Sequence, residues 1–285
     1  MLISFKKSRR RQVLDLLILL YKGFAAEGET PPSYGWYHFM WVGITLALAA
    51  IFICRFKNLD DRKVRKLAGG LWISMVILEI VKQIVFSLRY VDGVFVWDYA
   101  WYIFPFQFCA SPLYILPFVA FAKDGKLRDA AITFIATFST FAGLCVYVFP
   151  YDVLSFYSFI NAQAMYHHGV QVFFGLYLGF RYREKMHLKN LVKATAVFAS
   201  LAGVAMILNE LIYQYLSSNG MGDIFNMYFI SPHFDCTLPV LSIVHDLVPY
   251  PVFLCVYIFG FMLCAGLIML ITKGLVRLTK YEKIN

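Results

Sequence analysis

The sequence predicts an all-α, polytopic membrane protein built as a bundle of seven transmembrane helices. Of its 285 residues, 60% are hydrophobic and only 15% are charged, a composition far from that of soluble domains. Seven segments also have about the 20 apolar residues that a helix needs to cross a hydrocarbon core. The charged residues lie mainly between these segments, as expected for loops at the membrane surface.

In chain order, the predicted spans are residues 36–56, 68–88, 99–122, 129–149, 156–180, 191–216 and 249–272. Residues 1–30 form a separate basic segment, and residues 31–285 form the seven-helix domain.

Lysine and arginine crowd alternate connections at 55–66, 123–128 and 181–193, and the C-terminal segment 273–283. The positive-inside rule makes these regions cytoplasmic, so we expect the N-terminus outside and the C-terminus inside. The net charge of +9 follows the loops, which is typical of a multi-pass protein of the cell membrane rather than of a nucleic-acid binder. We expect the basic segments to attract anionic lipid headgroups.

The N-terminal stretch "KKSRRRQVLDLLILLYKGFAAEGE" puts six basic residues on the side expected to be outside. Its apolar core, residues 13–21, is too short to span and contains Asp15. This pattern favours an amphipathic helix lying on the membrane surface. A signal peptide, against which Asp15 counts, and a short inserted segment that brings the N-terminus inside are the alternatives.

The stretch "FPFQFCASPLYILPF", residues 104–118, carries three prolines, a glutamine and a cysteine in an apolar run. Interior prolines remove backbone hydrogen bonds, so this segment must do more than cross the membrane. A rise of 1.5 Å per residue along helical spans puts Cys109 about 15 Å and His168 about 18 Å below the outer surface. The same layer contains Glu79, Lys82, Gln107, Asn161, Gln163, His167, Asn209 and Glu210. Ionisable groups there cost about 2.5 to 3.5 kcal/mol each, so we expect a polar cavity open toward the outer leaflet.

Each of these residues also has a simpler interpretation. Glu79 and Lys82 are spaced i, i+3 and can neutralise each other, the amides can join helices, and a buried histidine or cysteine is often structural. The combination of cysteine and histidine is more informative, because an apolar setting disfavours the thiolate and a neighbouring imidazole can take its proton. The six cysteines contain no C-x-x-C, so we expect neither a zinc site nor a disulfide framework.

The stretches "FPFQFCASPLYILPF", "LRDAAITFIATFSTFAGL" and "INAQAMYHHGVQVFFGLYLGF" resemble the YwaF-type integral membrane proteins of bacteria. Those proteins are related to a mammalian seven-helix protein described as a cysteine-dependent phospholipid acyltransferase. The resemblance implies that Cys109 is the nucleophile and His168, which precedes a glycine, is its base, with His167 the less fitting choice. Asn161 and Gln163 occupy matching polar positions.

We therefore expect an acyltransferase or transacylase that acts on a phospholipid through a thioester on Cys109, with His168 as base and then acid. Gln107 and Asn161 would orient the ester or its oxyanion. The lipid is the substrate partner, and no soluble cofactor or metal is required; hydrolysis, with water as acceptor, is a related reaction. The alternative is a transporter or receptor whose polar layer binds a small solute or lipid without covalent chemistry. The sequence does not predict the oligomeric state.

Overall fold

The structure is a computed structural model that describes residues 2–281, and about three quarters of the chain is helical. The helices are α1 (Leu2–Phe24), α2 (Trp36–Phe56), α3 (Asp61–Ser87), α4 (Pro112–Phe121), α5 (Lys126–Phe134), α6 (Thr140–Val148), α7 (Ser158–Arg181), α8 (Leu188–Ser218), α9 (Leu241–Leu247) and α10 (Tyr250–Tyr281). The strands are β1 (Leu88–Val91) and β2 (Val94–Trp97). Lys283 of the basic C-terminal segment lies outside the described residues.

Five helical segments are long and apolar enough to cross a membrane. They are α2, α3, the continuous helix Lys126–Val148, α8 and α10. The helix Lys126–Val148 joins α5 to α6 through a π-helical turn, Ile135–Ser139. These segments confirm a multi-pass membrane protein and match five of the seven predicted spans. The count of seven spans and the orientation in the membrane stay predictions.

We expected the third predicted span, residues 99–122, to be a continuous α-helix, and the structure shows that it is not. Two 3₁₀ turns, Trp101–Ile103 and Phe108–Ala110, precede α4, which has only ten residues. The prolines are the physical cause, because Pro105 has no N–H to continue a helix and Pro112 fits the first helical position. The depth of Cys109 therefore cannot be counted at 1.5 Å per residue from Tyr99.

Side chains satisfy carbonyl groups around these prolines. Pro117 lies inside α4 and has no N–H for the carbonyl of Leu113, four residues earlier. Trp72 on α3 supplies that hydrogen bond instead, with 2.9 Å between Nε1 and the Leu113 oxygen. The Tyr114 hydroxyl donates to the carbonyl of Pro105 at 2.5 Å. The irregular segment can therefore exist within an apolar bundle without exposing these carbonyls.

A β-hairpin that the sequence reading missed joins α3 to the irregular segment. Its strands pair antiparallel from Leu88 opposite Trp97 to Val91 opposite Val94. Asp92 and Gly93 form the turn, both at positive φ, 51° and 81°. Asp-Gly between apolar residues is a strong hairpin signal. This hairpin marks one end of the bundle, which we call the hairpin end.

Helix α7 lies at the centre of the bundle. It packs against α2, α3, α6, α10 and the π-helical turn, and most of its residues are buried. The helix Lys126–Val148 is also central, with 72% of its most apolar 18 residues buried, against 11% for α2 and 28% for α8 and α10. Those three helices present most of their surface outward, so α7 is shielded and can carry polar side chains.

Two glycines of α7 allow this close packing. A Cβ on Gly175 would lie 2.0 Å from Thr140 Oγ1 and 2.6 Å from the Ile135 carbonyl oxygen. A Cβ on Gly179 would lie 2.8 Å from Thr272 Cγ2 on α10. The G-x-x-x-G pattern therefore brings α7 against both the π-helical turn and α10.

The basic loops meet at the end of the bundle opposite the hairpin, which we call the basic end. The guanidinium of Arg128, 2% exposed, pairs with Asp61 at 2.8 Å and Asp124 at 2.6 Å. It also donates to the Tyr182 hydroxyl at 3.1 Å, and Lys185 pairs with Asp129. These bonds tie the start of α3, the start of α5 and the end of α7 together.

The N-terminal segment is helical, as we expected, and α1 is anchored at the hairpin end. The Tyr21 hydroxyl donates to the Leu88 carbonyl at 2.6 Å, and the Gly28 N–H donates to the Phe156 carbonyl at 2.7 Å. Leucines such as Leu16 and Leu19 are exposed along α1. The side chains of residues 2–11 lie outside the described part of the structure, so the position of α1 on a membrane surface stays a prediction.

Candidate functional site

Cys109 is the middle residue of the 3₁₀ turn Phe108–Ala110, which leads directly into α4 through the cap residue Ser111. The backbone N–H groups of Cys109 and Ala110 lie beside its sulfur. The N–H groups and the positive dipole end at the start of the following helix offset part of the cost that burial puts on a thiolate. The prolines that interrupt the third segment therefore place the cysteine in an irregular turn rather than in the middle of a helix.

Two side chains of α7 bind the peptide carbonyl of Cys109. His167 Nε2 lies 2.9 Å and Gln171 Nε2 lies 3.0 Å from that oxygen. The two residues are spaced i, i+4, so both face the turn from one side of α7. The sequence analysis expected His168 rather than His167 beside Cys109. Here it is His167 that touches the backbone of the cysteine.

His168 joins the cluster through Gln171, whose Nε2 lies 3.2 Å from His168 Nδ1. The two imidazole rings are 5.5 Å apart. Among the described residues, no hydrogen bond joins the Cys109 sulfur to either imidazole. His167 and Gln171 therefore hold the cysteine turn by its backbone, and His168 is connected to it through Gln171.

The hydrogen bonds assign the protons on the two imidazoles. A carbonyl oxygen can only accept, so His167 carries a proton on Nε2, and in the neutral ring its Nδ1 is then a free lone pair. The Gln171 amide donates to His168 Nδ1, so the proton of neutral His168 is on Nε2. The amide nitrogen and oxygen of Gln171 cannot be exchanged, because the oxygen would then face the Cys109 carbonyl oxygen and both are acceptors. A proton on His168 Nδ1 is therefore excluded.

Three buried polar atoms in this cluster have no partner among the described residues: His167 Nδ1, Gln171 Oε1 and Ser111 Oγ. The exposed fractions of these residues are 6%, 1% and 1%. Buried polar groups are nearly always hydrogen-bonded in proteins, and exceptions concentrate at functional sites. The cluster therefore offers a lone pair and further polar atoms to a group that enters beside Cys109.

An ion pair on α3 lies next to the cluster. Lys82 Nζ is 2.8 Å from Glu79 Oε1, and Gln83 donates to the same carboxylate at 2.7 Å. The charges of Lys82 and Glu79 act in opposite directions on Cys109 and His167, and Lys82 also acts on His168. The i, i+3 spacing thus neutralises the pair and also keeps a cation close to the cysteine.

The long loop after α8 returns into the bundle. We call residues 225–231 the plug segment. Phe225, Met227 and Tyr228 are at most 1% exposed. Tyr228 and Phe229 have positive φ, 60° and 56°, a conformation that costs roughly 1 to 3 kcal/mol for each residue. The surrounding structure must therefore hold this segment firmly.

Two side-chain amides, of which that of Asn209 is fully buried, hold the plug segment by its backbone. Gln107 donates to the Asn226 carbonyl at 2.9 Å and accepts from the Tyr228 N–H at 2.8 Å. Asn209 donates to the Met227 carbonyl at 3.0 Å and accepts from the Met227 N–H at 2.7 Å. Both ends of each amide are occupied, so these residues position the plug segment.

Aromatic contacts connect the plug segment to the cysteine turn. The ring of Phe108 lies 6.0 Å from that of Tyr228, 5.2 Å from that of Phe198 and 4.9 Å from that of Phe261. The Tyr257 hydroxyl donates to the Tyr228 carbonyl at 2.9 Å. A displacement of the plug segment would therefore change the packing of Phe108, the residue next to Cys109.

Two further predicted residues, Asn161 and Gln163, lie elsewhere on α7. Asn161 is near the start of the helix, where its amide makes two hydrogen bonds with the backbone of Ser155, at 2.7 and 2.8 Å. Gln163 is buried one turn before His167. The sequence reading missed Gln171 and Ser111, although the i, i+4 spacing of His167 and Gln171 was available as a signal. Within the described residues, no group of three or more His, Cys, Asp or Glu could hold a metal ion.

The family model of the TMEM164 family matches residues 33–271. That range contains Cys109, the three side chains of α7 around it and the plug segment. No curated protein and no solved structure matches the chain.

Proposed function

Since the chain belongs to the TMEM164 family, a family of transmembrane proteins, we propose that it transfers acyl groups between phospholipids in the cell membrane through Cys109. One observation carries the proposal. His167 and Gln171 both bind the carbonyl of Cys109, and the buried Nδ1 of His167 has a lone pair without a partner. A nucleophile and a base whose ring is held in place by a hydrogen bond are the parts that covalent acyl transfer needs.

In the first half-reaction, the Cys109 thiol gives its proton to His167 Nδ1 and the sulfur attacks the acyl carbonyl carbon of a phospholipid. The proposed donor for the oxyanion is the N–H at His168 Nε2, since the backbone N–H of Ala110 already donates to the Gln107 carbonyl at 2.8 Å. When the C–O ester bond breaks, His167 Nδ1 returns the proton to the departing oxygen. The products are a lysolipid and a thioester on Cys109.

In the second half-reaction, the hydroxyl of an acceptor lysolipid gives its proton to His167 Nδ1 and attacks the thioester carbon. The C–S bond breaks, the sulfur takes the proton back, and the new ester leaves. Water in place of the lysolipid would give hydrolysis. This scheme differs from the sequence-based expectation, in which His168 is the base, because Gln171 occupies the lone pair of His168 Nδ1.

The neighbouring groups have supporting roles in this scheme. Lys82 supplies positive charge near the sulfur, which offsets part of the cost that burial and the charge of Glu79 put on a thiolate. Gln107 and Asn209 keep the plug segment against Phe108, so they position the cysteine turn rather than contact the ester. A lipid can supply and accept the acyl group within the bilayer, so the reaction needs no soluble cofactor.

The test is acyl exchange in liposomes that contain the purified protein, a phospholipid with an isotope-labelled acyl chain and an unlabelled lysolipid. Mass spectrometry measures the labelled product, and a hydroxylamine-sensitive acyl group on the Cys109 peptide reports the thioester. We expect Cys109→Ala to abolish both signals without lowering the melting temperature. Cys145→Ser, at another partly buried free cysteine, is the matched control and should keep both. Full exchange by Cys109→Ala would refute the proposal.

A second pair of variants separates the roles of the histidines. We expect His167→Gln to abolish the thioester and His168→Gln to slow its formation by about 10²- to 10³-fold, as for the loss of one oxyanion donor. The reverse order would return the base role to His168. Saturable binding of a small solute, together with an unreactive Cys109, would favour the transporter alternative.

A further inference from the structure

We propose that a cavity at the basic end, between the ends of α7 and α10, binds the phosphate group of an anionic lipid. The cavity has a volume of about 270 Å³. Its wall includes Gly179 and Arg183 from the α7 side and Thr272, Lys273 and Arg277 from α10. It is separate from the cysteine cluster, and the proposal does not rest on acyl transfer.

The charge of the wall favours an anion. Arg183, Lys273 and Arg277 contribute three positive charges, and Glu184 contributes one negative charge. None of the three cations forms an ion pair with a carboxylate in the part of the chain that the structure describes. This contrasts with Arg128 nearby, which has two carboxylate partners. The cations of the cavity are therefore available to a ligand.

A buried hydroxyl supplies a second, independent observation. Thr272 is 1% exposed, and its Oγ1 has no hydrogen-bond partner among the described residues. A Cβ on Gly179 would lie 2.8 Å from Thr272 Cγ2, so the glycine is what allows this side chain to pack there. A buried hydroxyl without a partner is costly, and a phosphate oxygen is an acceptor that would relieve the cost.

The location explains why the ligand is a lipid. Arg183 follows the end of α7, and Lys273 and Arg277 lie in the last turns of a helix long enough to span the membrane. Helix ends of this kind lie at the depth of the headgroups. The negative dipole at the end of α7 amounts to about half a charge, which is small beside three cations. A lipid phosphate can reach the cavity from the bilayer, and free phosphate can reach it from water.

The experiment measures binding by native mass spectrometry of the full-length protein in detergent. The ligands are dioleoyl phosphatidic acid, dioleoyl phosphatidylcholine and inorganic phosphate. We expect saturable binding of phosphatidic acid and little of phosphatidylcholine. Competition by millimolar inorganic phosphate would show that the cavity recognises the phosphate alone; its absence would show that the lipid chains also contribute.

The variants test the site itself. Replacing Arg183, Lys273 and Arg277 together by glutamine should weaken phosphatidic acid binding by at least about tenfold. The matched control, with the same loss of charge at the same end, replaces Arg62, Lys63 and Lys189 by glutamine and should change binding less than about twofold.

A milder variant, Thr272→Val, keeps the shape and charge of the wall and should weaken binding by about three- to tenfold. Equal weakening by the cavity and control triples would show a diffuse attraction and overturn the site. So would unchanged binding by both the cavity triple and Thr272→Val, provided that their melting temperatures match that of the wild type.

Discussion

The hydrogen bond between Trp72 and the Leu113 carbonyl exists because Pro117 has no N–H to give. Replacing Trp72 by phenylalanine keeps an aromatic ring but leaves that carbonyl without a donor. An unsatisfied buried acceptor costs about 1 to 3 kcal/mol, so the free energy of unfolding should fall by that amount plus a packing loss. In a Pro117→Ala background, residue 117 can donate to Leu113 itself, and the same substitution should cost only the packing loss.

The comparison is a double-mutant cycle, in which the packing loss is common to both backgrounds and cancels. Unfolding can be followed by circular dichroism during titration with SDS in mixed micelles, for the wild type, both single variants and the double variant. We expect a coupling energy of about 1 kcal/mol or more, with Trp72→Phe less costly when residue 117 is alanine. Equal costs in both backgrounds would refute the reasoning that the proline creates the need for the tryptophan.

Three other predictions concern packing and buried polar groups. Gly175→Ala should lower the free energy of unfolding by about 1 to 3 kcal/mol or more, because its Cβ would lie 2.0 Å from Thr140 Oγ1. Gly203→Ala, which meets nothing within 4 Å, should be neutral or stabilising in the same SDS titration, and a reversed order would contradict the packing. Arg128→Met should lower the free energy of unfolding by about 1.5 to 3 kcal/mol, because hydrogen bonds to charged groups are lost. The loss should be smaller than for a fully buried ion pair, because the carboxylate partners are partly exposed. An unchanged melting temperature would contradict that role. Asn209→Leu removes both hydrogen bonds to the plug segment and should speed amide hydrogen exchange there by about tenfold or more; protection equal to that of the wild type would show that the amide is dispensable.

The membrane class and most of the helices could be predicted because they follow from hydropathy and length. The five apolar spans lie where the sequence put them, although α3 begins seven residues earlier and α10 extends at least six residues further than predicted. The segment from 99 to 122 could not be predicted as irregular, because an apolar run of that length reads as a span whether or not its prolines break it. The Asp92-Gly93 pair was a usable signal for the hairpin, but strands of only four residues each give little alternating pattern to support it.

The site was less predictable than the fold, because its contacts cross between helices. The sequence indicated polar residues at one level, but a periodic pattern cannot tell which atom of His167 or His168 meets the cysteine turn. Gln107 and Asn209 show the same limit. They were singled out as polar residues of the layer, yet their partners are backbone groups of a loop more than a hundred residues from Gln107. The roles of these residues in chemistry stay predictions.

The central place of α7 has a consequence for how the protein is made. Because α7 carries asparagine, glutamine and histidine side chains, it is less apolar than the five helices that are apolar enough to cross a membrane. A segment of this polarity gains little on leaving the translocon for lipid alone. We expect α7 to enter the bilayer only when the helix Lys126–Val148 is already there to receive it, so that assembly in the membrane begins as a helical pair.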